Sequence, residues 1–133
     1  MVRKPSPVMQ AMVAGKSDAQ LLSTAAQFGG PPAVIESIVR GLADAVGSGA
    51  PDALVGFVAV DGENRYGHAV RVAGGAASVE PLETEADAVY TSSFPDLVRV
   101  AAGLLEMGAA VEAGRVAVSG DAEIGRQVLL SLT

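Results

Sequence analysis

The sequence contains no cysteine, no tryptophan and a single histidine among its 133 residues. The absence of cysteine excludes disulfides, thiolate nucleophiles and cysteine-ligated metal sites. One imidazole leaves little for histidine ligation, so we predict neither a metal nor another cofactor. Aromatic residues make up only 4% of the chain. The interior must therefore be filled mainly by Ala, Val, Leu and Ile, which can leave an apolar hollow or pack solidly.

Positive charge is also scarce. Nine Lys and Arg stand against fifteen Asp and Glu, a formal net charge of −6. Binding to a phosphate backbone needs clustered Lys and Arg, so nucleic acid is not an expected partner. Pro5, Pro7 and Gln10 interrupt what would have to be an apolar secretory signal, and no run is long enough to span a membrane. We expect a cytoplasmic protein, and the composition is typical of a bacterial source.

The length predicts one domain, because a chain of this size typically buries about two thirds of its unfolded surface in a single core. Prolines near the start resist helix formation, so residues 1–16 are predicted to be a flexible tail. A single domain is expected over 17–133. Within it we predict a helical pair at 17–47 and a core of sheet and helices at 52–132.

Two helices are predicted ahead of the sheet. Ser17 and Gln20 form a capping box that begins the first of them. Pro31 and Pro32 begin the second, at positions where a missing amide costs little. Apolar residues then recur at helical spacing up to Val46, which indicates a helix with one buried face.

The pattern then changes to that of a sheet. The strand Leu54 to Val60 is apolar on both faces, which is typical of a central strand or of one that lines a cavity. Turns at Asp61-Gly62 and Gly74-Gly75 predict an antiparallel meander of three strands. Further strands are predicted at Ala86 to Thr91 and from Arg115 onwards.

Helices alternate with these last strands. Ser93 is predicted to cap a helix with a broad apolar face. A short turn of helix follows from Met107 to Ala113. Gly120 supplies a flexible corner after the fifth strand, and Asp121 is a good N-cap for a C-terminal helix.

In their order and spacing these motifs resemble the sterol carrier protein 2 (SCP2) domain family, over roughly Asp52 to Leu132. The resemblance implies an α/β protein of the α+β type, with a five-stranded, mostly antiparallel sheet and helices covering one face. It also implies an apolar tunnel between sheet and helices for sterols, fatty acids or fatty acyl-CoA. The motifs that carry it are the hairpin at Asp61-Gly62, the strand Ala86 to Thr91, the helix opening Ser93 to Leu97 with Gly103 at its end, and the run Gly114 to Asp121.

The resemblance also implies which residues line the tunnel. They are apolar positions on the first strand, on two helices and on the turn between them: Phe57, Phe94, Leu97, Ala101, Leu104, Leu105, Val111, Ile124 and Val128. The chain departs from the family at Ala109-Ala110-Val111, where a bulky residue is expected, which leaves the size of the ligand open. It also adds the helical pair, which could narrow the tunnel mouth or form a homodimer.

Polar candidates for catalysis are few. His68 lies on a strand with Val70 and Val72, which predicts that it is at least half buried. It is either a general acid or base near a pocket or a hydrogen-bonded structural histidine. Tyr66, Tyr90 and Asp87 are the other groups that could handle a proton.

Three functions follow. The first is binding and shielding or transfer of a hydrophobic small molecule, such as a lipid, a fatty acyl chain, a sterol-like ring system or a polyketide. The second is an enzyme of a biosynthetic pathway that cyclises or isomerises an apolar substrate in the same pocket. The third is an interaction module without a ligand.

Overall fold

The computed structural model describes residues 11, 13–47, 49–82, 86–102, 104–105 and 107–131. This part of the chain contains five helices and five strands. In chain order they are α1 (Asp18–Gln27), α2 (Pro31–Ala45), β1 (Ala53–Asp61), β2 (Asn64–Ala73), β3 (Ala76–Pro81), β4 (Ala88–Ser93), α3 (Phe94–Ala101), α4 (Met107–Glu112), β5 (Val116–Gly120) and α5 (Ala122–Leu130).

The five strands form one open sheet in the order β3-β2-β1-β4-β5. β1 and β4 are parallel, and every other neighbouring pair is antiparallel. The predicted meander joins β1 to β3, and Gly74 and Gly75 adopt positive φ angles of 61° and 81° at its second turn, as a tight hairpin requires. The prediction of a mostly antiparallel five-stranded sheet with the first strand at its centre is confirmed.

One row of side chains crosses the sheet on the face that the helices cover. Phe57 of β1 is in register with His68 of β2 and with Tyr90 of β4. Tyr90 is in turn in register with Val118 of β5. Residues in register across a sheet point to the same side. Phe57 and Tyr90, near its middle, are both buried.

The helices pack against this face in two groups. α2 contacts β2 and β3, whereas α3 and α5 contact β1 and β4. α4 lies against β5. The hydrophobic core between the layers contains the fully buried Ile35, Val39 and Phe94. Coverage of one sheet face by helices, as the sequence predicts, is confirmed.

The opposite face of the sheet is covered at its centre by Leu82, from the connector after β3. A Cβ added at Gly56 would lie 2.9 Å from Leu82 Cδ1, and one at Gly67 would lie 3.3 Å from Leu82 Cδ2. Leu54 and Val58 of β1 are buried as well. The two glycines thus let an apolar side chain lie flat on the outer face.

The predicted tail lies mostly outside the described residues, but Val13 is buried in the core. The predicted capping box of α1 is present. The Ser17 amide donates to Gln20 Oε1 at 2.8 Å, and the Gln20 amide donates to Ser17 Oγ at 3.2 Å. The bounds of the tail and of the domain stay predictions.

Candidate functional site

The predicted lining residues differ in how deeply they are buried. Phe57, Phe94, Leu97 and Val128 are buried in the core. Partly buried apolar side chains pack against this core from α3, from the segment after it, from α4 and from α5: Ala101, Leu105, Val111 and Ile124. All of these belong to one hydrophobic cluster. Leu104, at 43% exposed, lies outside it.

The floor of this cluster is an aromatic pair on adjacent strands. The rings of Phe57 and Tyr90 stack with their centroids 5.7 Å apart and an interplanar angle of 15°. Only 4% of Tyr90 is exposed. Stacking on a neighbouring strand fixes the position of the ring and of its hydroxyl.

Helix α5 approaches Tyr90 closely through a glycine. A Cβ at Gly125 would lie 2.7 Å from Tyr90 Oη and 3.1 Å from Ala88 Cβ. Asp121 positions the start of this helix, because its carboxylate accepts hydrogen bonds from the amides of Glu123 and Ile124. The Tyr90 hydroxyl therefore lies beneath the first turns of α5.

The Tyr90 hydroxyl has no hydrogen-bond partner among the described residues. Among the described residues, every fully buried side-chain N or O atom has a hydrogen-bond partner. Since the Tyr90 oxygen has none, it is not fully buried and keeps a small accessible surface. Burial raises the pKa of Tyr90 above its ordinary value. The group is therefore a neutral hydroxyl at physiological pH.

The four candidate catalytic side chains are not gathered into one site. Tyr66, His68 and Tyr90 share the helix-facing side of the sheet, but Phe57 stands between His68 and Tyr90. Strand spacing puts the Cα atoms of those two residues about 10 Å apart. Asp87 is exposed just before β4, where its carboxylate accepts a 2.8 Å hydrogen bond from the Leu54 amide.

Asp87 therefore links three elements of the fold. Its carbonyl oxygen also accepts a hydrogen bond from the Asp121 amide at 2.7 Å. These contacts connect the start of β1, the start of β4 and the start of α5. Of the acidic residues that precede Asp87 in the sequence, Glu80 accepts two hydrogen bonds from the Arg71 guanidinium, whereas Glu83 and Glu85 lie outside the described residues.

An ionic cluster beside α3 was not anticipated from the sequence. Asp96 accepts hydrogen bonds from Arg99 at 3.0 Å and from Arg115 at 2.6 Å, and Arg99 also binds Asp18 at 2.6 Å. Burial by itself raises the pKa of Asp96, but the hydrogen bonds from Arg115 and Arg99 outweigh it and hold the pKa below its ordinary value. The i,i+3 spacing of Asp96 and Arg99 was the available signal.

Surface depressions lined by described residues include two, one near the end of α5 and one along α1. The larger, about 570 Å³, lies between the loop before β1 and the end of α5 and is lined by Gly47, Gly49, Pro51, Gln127, Leu130 and Ser131. The smaller, about 320 Å³, follows one side of α1. Neither contains a predicted lining residue.

The described part of the chain contains neither a metal-binding cluster nor a helix that could span a membrane. No three of its His, Asp and Glu side chains come together in a way that could hold a metal ion. None of its helices combines the length and the apolar content needed to cross a bilayer.

The sequence matches no protein-family model and no curated protein. Its structure is similar to several solved structures. Sterol carrier protein 2 like 2 from Aedes aegypti superposes with a TM-score of 0.59 at 16% identity, over 83% of this chain and 98% of that chain. The palmitated form of that protein, solved by NMR, gives a TM-score of 0.57 at 17% identity, over 73% and 88% of the two chains.

A third similar structure is the stereoselective inverting sec-alkylsulfatase Pisa1 from Pseudomonas sp. The TM-score is 0.56 at 22% identity, over 68% of this chain. The present chain spans only 15% of the length of that sulfatase.

These similarities show that the chain has the SCP2 fold, an α+β arrangement of helices on an open five-stranded sheet. The resemblance read from the sequence is confirmed at the level of the fold.

Proposed function

We propose that this protein binds an apolar, lipid-sized molecule between the sheet and helices α3, α4 and α5, and that it shields or transfers that molecule. The observation that carries the proposal is the cluster described above, in which partly buried apolar side chains surround a fully buried apolar floor. A similar structure, SCP2-like 2 from Aedes aegypti, is described as palmitated. In this proposal the residues predicted to line the tunnel, including Leu104, contact the ligand.

The energy of such binding needs no polar contact. Burying about 300 Å² of apolar ligand surface contributes roughly 7 kcal/mol at about 25 cal/mol per Å². Losses of motion and the ordering of side chains reduce this figure, so affinities in the micromolar range are expected. A fatty acyl chain, a sterol-like ring system or a polyketide would each supply enough apolar surface.

Entry requires one wall to open, and α4 is the best candidate. It has only six residues and buries only Ala110 among those described. A helix this short gains little from its own hydrogen bonds. Displacement of α4, or of α5, would expose the apolar floor without disturbing β1 to β4.

The polar side chains do not favour catalysis in this space. Asp87 is engaged with the Leu54 amide, and His68 and Tyr90 are separated by Phe57. The enzyme and the ligand-free interaction module stay alternative predictions. A homodimer through α1 and α2, a cytoplasmic location and a bacterial source also stay predictions.

A displacement assay tests the proposed function. Dansyl-labelled undecanoic acid is added to the protein, and a mixed extract of apolar lipids is titrated against the fluorescence of the bound probe. We expect displacement at or below about tens of micromolar lipid. Phe28→Ser serves as the control, because Phe28 is 58% exposed at the end of α1 and outside the proposed site. If lipid does not displace the probe from the wild-type protein, or if Phe28→Ser no longer binds the probe, the proposal is contradicted.

A further inference from the structure

The polar atom left unpartnered in the proposed site is the hydroxyl of Tyr90. The side chain is 4% exposed, and its hydroxyl has no hydrogen-bond partner among the described residues. Because the oxygen is not fully enclosed, the hydroxyl is available to donate to water or to a ligand, which phenylalanine in the same space could not do. The accessible surface left on the oxygen shows that space adjoins it.

Two contacts fix the direction of this hydroxyl. The ring stacks on Phe57, with centroids 5.7 Å apart. At the other end, Gly125 leaves room for the oxygen, since a Cβ there would lie only 2.7 Å from it. Ile124 and Val128, which the proposed site includes, lie on the same helix on either side of Gly125. The hydroxyl is thus held where the sheet, α5 and the proposed ligand would meet.

The charge of the surroundings restricts what this hydroxyl can bind. Of the strand residues that share the face of Tyr90, the titratable ones besides the two tyrosines are His68 and Asp61, the last residue of β1, and none is Lys or Arg. Arg99 and Arg115 are committed to Asp96. A carboxylate buried beside Tyr90 would lack a counter-charge, which is costly. A neutral oxygen carries no such penalty.

We propose that Tyr90 determines specificity in this site by donating a hydrogen bond to a neutral carbonyl or hydroxyl oxygen within an otherwise apolar ligand. The inference rests on the proposed function and adds the chemical class of the ligand. Simple hydrocarbons would bind through apolar contact alone. An ionised fatty acid would bind with its carboxylate in water and would gain nothing from Tyr90.

The test compares ligands that differ only in one oxygen. Octadecane and a set of octadecanones with the carbonyl at different internal positions are delivered from cyclodextrin, and each displaces dansyl-labelled undecanoic acid from the full-length protein. We expect at least one ketone to bind about three- to tenfold more tightly than octadecane, the ratio that a typical net hydrogen bond gives. In Tyr90→Phe this preference disappears while octadecane binding is kept. Tyr66→Phe, a matched change on the same face, keeps the preference.

A spectroscopic readout separates a hydrogen bond from an effect on folding. The infrared carbonyl stretch of the preferred ketone, labelled with carbon-13, moves to lower frequency when the carbonyl accepts a hydrogen bond. We expect this shift in the wild-type protein and in Tyr66→Phe, and its loss in Tyr90→Phe.

The outcomes distinguish the two proposals. If neither octadecane nor any ketone displaces the probe from the wild-type protein, the proposed function fails. If both displace it equally, or if the preference and the infrared shift survive in Tyr90→Phe, the proposed function stands and the role of Tyr90 is overturned.

Discussion

Gly125 of α5 and Tyr90 of β4 touch, with room for no more than a hydrogen at the glycine. A Cβ there would lie 2.7 Å from the phenolic oxygen, well inside van der Waals contact. This approach sets the distance between α5 and the sheet at the centre of the proposed site.

Gly125→Ala is expected to destabilise the protein in spite of the higher helix propensity of alanine. Overpacking against a ring held by Phe57 exceeds the roughly 1 kcal/mol gained in propensity, so we expect a net loss of about 1–2 kcal/mol. Urea denaturation followed by circular dichroism measures it. Gly49→Ala is the control, because Gly49 is exposed and a Cβ there meets nothing within 4 Å. Equal effects of the two changes would contradict the packing described.

Asp96→Asn is expected to loosen α3 from α1 and from the start of β5. The carboxylate is only 14% exposed and holds both Arg99 and Arg115. Loss of these charged hydrogen bonds should cost about 1–3 kcal/mol in free energy of unfolding. Glu36→Gln, which removes an exposed i,i+4 pair with Arg40, should cost only about 0.5 kcal/mol or less. A larger loss in Glu36→Gln than in Asp96→Asn would refute this ranking.

The same carboxylate makes stability depend on acid pH. Because the pKa of Asp96 is lowered in the folded state, its contribution is present above the ordinary carboxyl pKa of about 4 and is lost as the pH falls through the folded-state value. The difference in unfolding free energy between wild type and Asp96→Asn should therefore shrink between neutral pH and about pH 3. A difference that stays constant over this range would show that Asp96 does not titrate as described.

The buried hydroxyl of Tyr90 should make the stability of the protein fall, rather than rise, with increasing pH in the alkaline range. Its pKa is raised by burial, so the unfolded chain loses the proton first. The contribution to stability is full below about pH 10 and falls as the pH rises further. The chain has two tyrosines and no tryptophan, so Tyr66→Phe leaves Tyr90 as the sole tyrosine for a titration by ultraviolet absorbance. Ionisation at the pKa of free tyrosine would contradict the burial of the hydroxyl.

Leu82→Ala is expected to uncover the outer face of the sheet. The side chain contacts the positions of Gly56 and Gly67 and is partly buried, so its truncation should cost about 1–2 kcal/mol. Leu130→Ala, at a side chain 52% exposed, is the control and should cost less. Hydrogen exchange would locate the effect at β1 and β2. Unchanged protection of both strands would mean that Leu82 does not cover them.

Local rules predicted much of the fold. The caps at Ser17, Ser93 and Asp121 are all present, because a capping side chain bonds to amides within three residues along the chain. Apolar residues on both faces of β1 predicted a central strand or one that lines a cavity, and the strand order places β1 at the centre of the sheet. Where boundaries differ, as for β4, which begins at Ala88 and ends at Ser93, the cause is pairing with neighbouring strands.

Local sequence rules could not predict the contacts that shape the candidate site. The pairs Gly125 with Tyr90 and Arg115 with Asp96 join residues far apart in the sequence. No pattern among neighbouring residues distinguishes a glycine that leaves room for an aromatic ring on another element. Leu82 is a similar case, because the positions of Gly56 and Gly67 that it contacts lie on strands distant from it in the sequence. The sequence predicts the candidate site as a set of apolar positions, and the contacts of these positions with distant residues required the fold.

The central claim is that an apolar molecule occupies the space between the sheet and helices α3, α4 and α5. Native mass spectrometry of the freshly purified protein, followed by organic extraction, tests it most directly. We expect a mass above that of the chain alone and an extract containing an apolar molecule with a neutral oxygen, which would identify the ligand. A protein that carries no added mass after gentle purification, and that takes none up from added octadecanones, would contradict the account.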